Sequence, residues 1–156
     1  MSIKSVSMGK PITAPCLIPV LHSATPNCIC EPFMANGDSY KVTALSFGTP
    51  HGVVFVDDID SVDVPAVGSA LDGNARFPKG ASIVFAQVLD GENLKARLWQ
   101  RGEGEIAYTS EAASVAAVGA MMLQKMHKSE AAVSMGDGVF RVEWDRAAGD
   151  VRLAAA

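Results

Sequence analysis

The chain has 156 residues, 49% of them hydrophobic and 19% charged, with a formal net charge of −4. That length and composition suit one domain spanning 1–156 with a sizeable core. They offer no basic stripe for nucleic acid, so nucleic acid is not expected as a partner. Met1-Ser2-Ile3-Lys4-Ser5 lacks the apolar core of a signal peptide. The longest apolar helical run, Ala112 to Leu123, is too short to span a bilayer. The expectation is a soluble, cytoplasmic protein without a membrane partner.

Turn-forming clusters divide the chain into short extended runs. In chain order the predicted strands are 3–8, 27–34, 39–47, 52–56, 81–89, 94–100, 131–135, 138–144 and 151–154. Leu94–Trp99 and Val139–Trp144 alternate apolar and polar residues, as strands with one wet face do. Val53-Val54-Phe55-Val56 is continuously apolar and is expected to be covered on both faces. A short helix is expected over Val64–Leu71. The three cysteines, Cys16, Cys28 and Cys30, make an odd set that argues against a disulfide framework. The histidines are scattered and no metal site is expected. Asp57-Asp58-x-Asp60 lacks the further ligands of a calcium loop and reads as a strand-end and helix-capping cluster.

Trp99 to Ala120 is the most informative stretch. It reads as a strand, a turn hinged on Gly102 and Gly104, and the start of a helix over about 110–127. The first half of that helix is small and apolar on every side, which suits a helix threaded through a sheet rather than one lying on a surface. The fold class is therefore α+β, with about nine short strands around one central helix. A helix N-terminus offers partial positive charge and free amides, and Thr109 stands at that point.

Several segments together carry a family resemblance. Ser46-Phe47-Gly48-Thr49-Pro50-His51-Gly52-Val53-Val54-Phe55-Val56-Asp57-Asp58 resembles the S-M-G-N-P-H-x-V-x-F-V-D-D signature of diaminopimelate epimerase. Arg76-Phe77-Pro78-Lys79-Gly80-Ala81-Ser82 and Trp99-Gln100-Arg101-Gly102-Glu103-Gly104-Glu105 are similar to further motifs of that family, and Ser7-Met8-Gly9-Lys10-Pro11 looks like the opening of its second domain. The resemblance implies a β-barrel around a central helix and corresponds to the second half of a two-domain enzyme. That enzyme works without a cofactor, through one cysteine from each domain, in the cleft between them.

On that resemblance the cysteine of this domain falls at Thr109, whose alcohol is far too weakly acidic to replace a thiol as a base near neutrality. The small residues that cradle the substrate carboxylate become Ser110, Glu111 and Ala112, and Glu111 would repel that carboxylate. The substrate-binding asparagines fall at Thr49 and Ser82, and a glutamate falls at Gln100, while Arg101, Pro50 and His51 are retained. The candidate catalytic residues are Thr109, Glu111 and His51. The candidate substrate-binding residues are Thr49, Ser82, Gln100, Arg101 and Ser110.

Each position has a plainer reading: Thr109 as a helix N-cap, Arg101 as a structural ion pair with Glu103, Glu105 or an aspartate, and His51 as a loop-holding residue. Glu105 has a solvated or capping reading. Two functions follow. One is an isomerase-like, cyclase-like or lyase-like enzyme with altered chemistry, acting on a small molecule. The other is a non-catalytic binding or assembly module. In either case the missing half is expected from a second copy in a homodimer or from a separately encoded partner, unless the chain is a piece of a longer protein.

Overall fold

A computed structural model describes residues 5–23 and 26–155. Ten strands and two α-helices follow one another as β1 (Val6–Gly9), β2 (Glu31–Ala35), β3 (Asp38–Ser46), β4 (Pro50–Phe55), α1 (Val64–Asp72), β5 (Ser82–Val88), β6 (Asn93–Gln100), β7 (Gly104–Ile106), α2 (Ser110–Met122), β8 (Glu130–Met135), β9 (Gly138–Asp145) and β10 (Asp150–Ala155). They form one sheet in the order β1-β10-β9-β8-β6-β5-β4-β3-β2, with β7 paired to β6 beside that path. The two parallel pairings, β4 with β5 and β6 with β8, are those bridged by α1 and α2 respectively, because a parallel return needs a crossover.

The sheet packs around α2, but it is open, not the closed barrel expected. Strands β1 and β2 end the strand order without pairing to each other. The nearest approach to closure is one bridge, Ile12 to Ser46, where the chain leaving β1 meets the end of β3. Beyond it, residues from the connection to β2 turn outward. Ile18, Val20 and Cys28 are buried against the outer face of the sheet, where closure would have needed extended backbone. Arg76 pins this connection, donating to the carbonyls of Leu21 at 3.0 Å and Pro32 at 3.1 Å.

Side chains alternate across the central strands, so β4 and β5 feed two cores. Val53, Val84 and Ala86 join the core around α2, while Val54, Ile83 and Phe85 join the core beneath α1. Both faces of β4 are thus covered, as its unbroken apolar run requires. Strands β6 and β9 bury one face and wet the other. Helix α2 has Ala112 through Met121 buried on every side. Small residues make that possible: a Cβ on Gly119 would stand 2.8 Å from Val53 Cγ1, closer than packed carbons approach.

Helix α2 stops at Met122, short of the predicted 127. Gln124 adopts φ 58°, its amide donates to Met121 O, and the Lys125 amide donates to Ala120 O. These two bonds form a Schellman motif, with a glutamine where glycine is usual. Strand β7 was not predicted, being three residues long and starting at one of the hinge glycines. Residues 3 and 4 of the first predicted strand lie outside the described residues. Within the acidic run Asp58 caps a short 3-10 turn and Asp60 lies 3.6 Å from Lys95, while Asp63, beyond the run, caps α1. No helix among the described residues is long and apolar enough to cross a membrane.

Candidate active site

The family-like motifs are far apart in sequence yet converge on one rim of the sheet. The end of β3, the starts of β4 and β5 and the end of β6 lie side by side there, with His51 paired to Ser82 and Ile83 to Trp99. Helix α2 begins at this same rim. The Glu111 carboxylate lies over the β3–β4 turn, where a Cβ on Gly48 would be 3.5 Å from Glu111 Oε1. Ser46 Oγ accepts the Gly48 N–H at 2.9 Å and fixes that turn.

Thr109 is the N-cap of α2. Its extended backbone (φ −136°, ψ 159°) lets Oγ1 accept the Ala112 N–H at 2.9 Å, which satisfies one of the helix's orphan donors. Its hydroxyl proton remains available to donate. Ser110 is exposed, and its carbonyl accepts from Ser114 Oγ at 2.9 Å. Tyr108 does not fill the rim: it is half exposed and packs on the Phe140 ring at 4.9 Å.

His51 is fully buried. Its Nδ1 lies 2.8 Å from the Thr49 carbonyl. A carbonyl can only accept, so Nδ1 carries the proton in the neutral ring and Nε2 presents its lone pair. That Nε2 is buried without a hydrogen-bond partner among the described residues. Burial holds the imidazole pKa below its ordinary 6.5, while the bond to Thr49 and the charge of Glu111 pull it upward without overcoming the burial. A buried, unpartnered polar atom costs about 1–3 kcal/mol. Glu111 itself forms no ion pair among the described residues.

The remaining predicted residues form a neighbouring network. Ser82 is fully buried, donates to Gln100 Oε1 at 3.2 Å and accepts the Arg101 N–H at 3.1 Å. Its hydroxyl is thus engaged within the protein, which leaves the amide NH2 of Gln100 as the donor end of the pair. Arg101 lies across Gly80, where a Cβ would stand 2.4 Å from its Nε, and reaches Asp72 at 4.0 Å. Asp72 also accepts from the Ala81 amide at 2.9 Å and from Trp99 Nε1 at 3.2 Å. The sequence reading offered an aspartate among the partners of Arg101 but did not single out Asp72, because nothing in its local pattern on α1 points across the sheet. Glu105 was read as solvated or capping. It is exposed, as the solvated reading has it, and also pairs with Arg97, whose Nε and Nη2 lie 2.9 Å and 3.2 Å from its two oxygens.

None of five surface cavities, about 180 to 320 Å³ each, is lined by Thr109, Glu111 or His51.

The chain thus holds a buried helix inside one open sheet, with the capped N-terminus of that helix at the rim where the motifs meet. The chain is similar in fold to a Bacillus anthracis phenazine biosynthesis protein of the PhzF family, with a TM-score of 0.57 at 15% identity, covering 97% of this chain and 56% of that one. The diaminopimelate epimerase family model matches residues 43–154, and the chain belongs to that family. It is 33% identical over 141 residues to diaminopimelate epimerase of Oceanobacillus iheyensis, covering 90% of this chain and 49% of that enzyme. It is 36% identical over 140 residues to the enzyme of Pseudomonas paraeruginosa, covering 90% and 50%. The chain spans about half the length of the curated relatives it matches.

Proposed function

We propose that the chain is a divergent member of its family, with Thr109 where the resemblance implies a cysteine, that binds a small organic molecule at the rim where α2 begins. There it catalyses an isomerase-like, cyclase-like or lyase-like proton transfer. Glu111 or neutral His51 is the base, and the group that takes the substrate proton returns it to the product. Thr109 supplies a hydroxyl donor, and Thr49, Gln100, Arg101 and Ser110 border the bound molecule. The observation that carries this reading is the buried His51 Nε2 left without a partner. Groups kept at such a cost tend to serve a function rather than the fold. The open rim lacks an opposite wall, and we propose that a second copy of the chain or a separately encoded half completes the cleft. Residues 1–156 then act as one diaminopimelate-epimerase-like domain.

The competing reading is a binding or assembly module that kept the scaffold. Thr109 Oγ1 acting as an N-cap favours it, since that role needs no chemistry. Deuterium wash-in separates the two. A pooled small-molecule extract is incubated with the protein in deuterium oxide and followed by NMR. At least one metabolite C–H is expected to exchange with the natural chain, about a hundredfold slower with Glu111→Gln. Diaminopimelate itself is expected not to exchange. Identical labelling with both proteins overturns the catalytic reading, and exchange at the diaminopimelate α-carbon overturns the reading of Thr109.

A further inference from the structure

The two ends of the sheet do not pair, and a cavity of about 300 Å³ occupies the seam between them. Lys10 and Pro11, directly after β1, line one side of it, and Ile29, on the way into β2, lines another. Met122 at the end of α2 and Trp144 and Arg146 from the end of β9 also face the cavity. It lies at the opposite end of α2 from Thr109 and Glu111. Its floor is apolar: Met122 and Trp144 pack on the core around α2, and Pro11 is buried.

The charged residues of the lining are Lys10 and Arg146, both positive, and no acidic residue lines the cavity. Neither cation forms an ion pair among the described residues. Each is nevertheless held. The Lys10 stem lies against Gly149, where a Cβ would stand 3.4 Å from Lys10 Cδ. Arg146 stacks on Trp144, with Cζ 4.2 Å from the ring centroid, and donates through Nη2 to the Met121 carbonyl at 3.1 Å. A guanidinium used through one nitrogen keeps further N–H donors for a carboxylate. The negative end of α2 does not use up these charges, since its carbonyls at Gly119, Ala120 and Met121 already accept chain amides. An apolar floor with a few convergent polar groups is what small-molecule sites present. An ammonium here would meet two like charges.

We propose that this seam is a second binding site, for a small carboxylate with a flat apolar body. The carboxylate accepts from Arg146 and Lys10, and the body lies on Trp144, Met122 and Ile29. Such a ligand touches both ends of the open sheet at once. The proposal does not draw on the reading of the rim where α2 begins.

The probes are 2-naphthoate and its neutral isostere 2-naphthamide, titrated into the 15N-labelled full chain near neutral pH. The chain has two tryptophans, and Trp144→Phe assigns their indole N–H signals by loss of one. Naphthoate is expected to move the Trp144 signal and to bind at least about tenfold more tightly than the amide. Lys10→Gln and Arg146→Gln are each expected to weaken naphthoate by about three- to fivefold. Lys10 is exposed, so its variant reads charge recognition even if Arg146→Gln disturbs the end of α2. Equal affinity for the amide, or unchanged naphthoate affinity in Lys10→Gln, overturns the recognition of a carboxylate. No response at Trp144, or a response confined to Trp99 beside Asp72, overturns the site.

Discussion

The two ends of α2 are built to different standards. At the C-terminal end the polar backbone is satisfied within the chain. The amides of Leu123, Gln124 and Lys125 return to Gly119, Met121 and Ala120, and Arg146 adds a second donor to the Met121 carbonyl at 3.1 Å. At the N-terminal end Thr109 satisfies one amide, yet His51 Nε2, which feels the Glu111 charge, stays buried without a partner among the described residues. Both ends belong to the same helix in the same core, so poor packing in general does not explain the contrast. The C-terminal end serves the fold, and the N-terminal end carries a cost that the fold alone does not require.

The comparison can be broken at either end. The largest effect is expected on exchange activity, the hundredfold loss in Glu111→Gln set out above, with little change in the urea midpoint. Loss of folding in that variant would make Glu111 structural instead. Next, Thr109→Ala removes the N-cap and is expected to cost about 1 kcal/mol in urea unfolding, with Thr109→Ser recovering most of it. A cost near zero would mean that the hydroxyl does not cap α2. The smallest effect belongs to the C-terminal end. Gln124→Gly relieves the left-handed backbone at φ 58° and is expected to stabilise the protein by about 0.5–1 kcal/mol. A destabilisation there would show that the glutamine side chain holds the helix end.

Much of the scaffold was legible because its periodicities are local. Leu94–Gln100 and Gly138–Trp144 alternate on the strand period, and the all-round small residues of 112–120 could belong only to an enclosed helix. Where α2 ends was not legible, since glutamine is not the residue that ordinarily signals a left-handed cap. The openness of the sheet was also hidden, because it depends on where residues such as Ile18, Val20 and Cys28 pack rather than on any strand's own pattern. At the site, the positions named from the motifs do converge on one rim. Their partners did not announce themselves: the Asp72–Arg101 and Arg97–Glu105 pairs join residues from different elements. The unpartnered state of His51 Nε2 is a property of three-dimensional burial that no sequence pattern encodes.

The central claim is that His51 is a neutral, buried imidazole whose Nε2 lone pair is kept for a ligand. Its folded pKa lies below the ordinary 6.5, so the unfolded chain binds the proton more readily. The stability tied to the neutral ring is therefore present above about pH 6.5 and is lost as the pH falls below it. The most direct measurement is the pH titration of the His51 ring nitrogens by 15N NMR in the folded protein. The account predicts an Nδ1–H tautomer with unprotonated Nε2 at neutral pH, persisting below 6.5 until the protein begins to unfold. A doubly protonated ring at neutral pH, or the opposite tautomer, would contradict it.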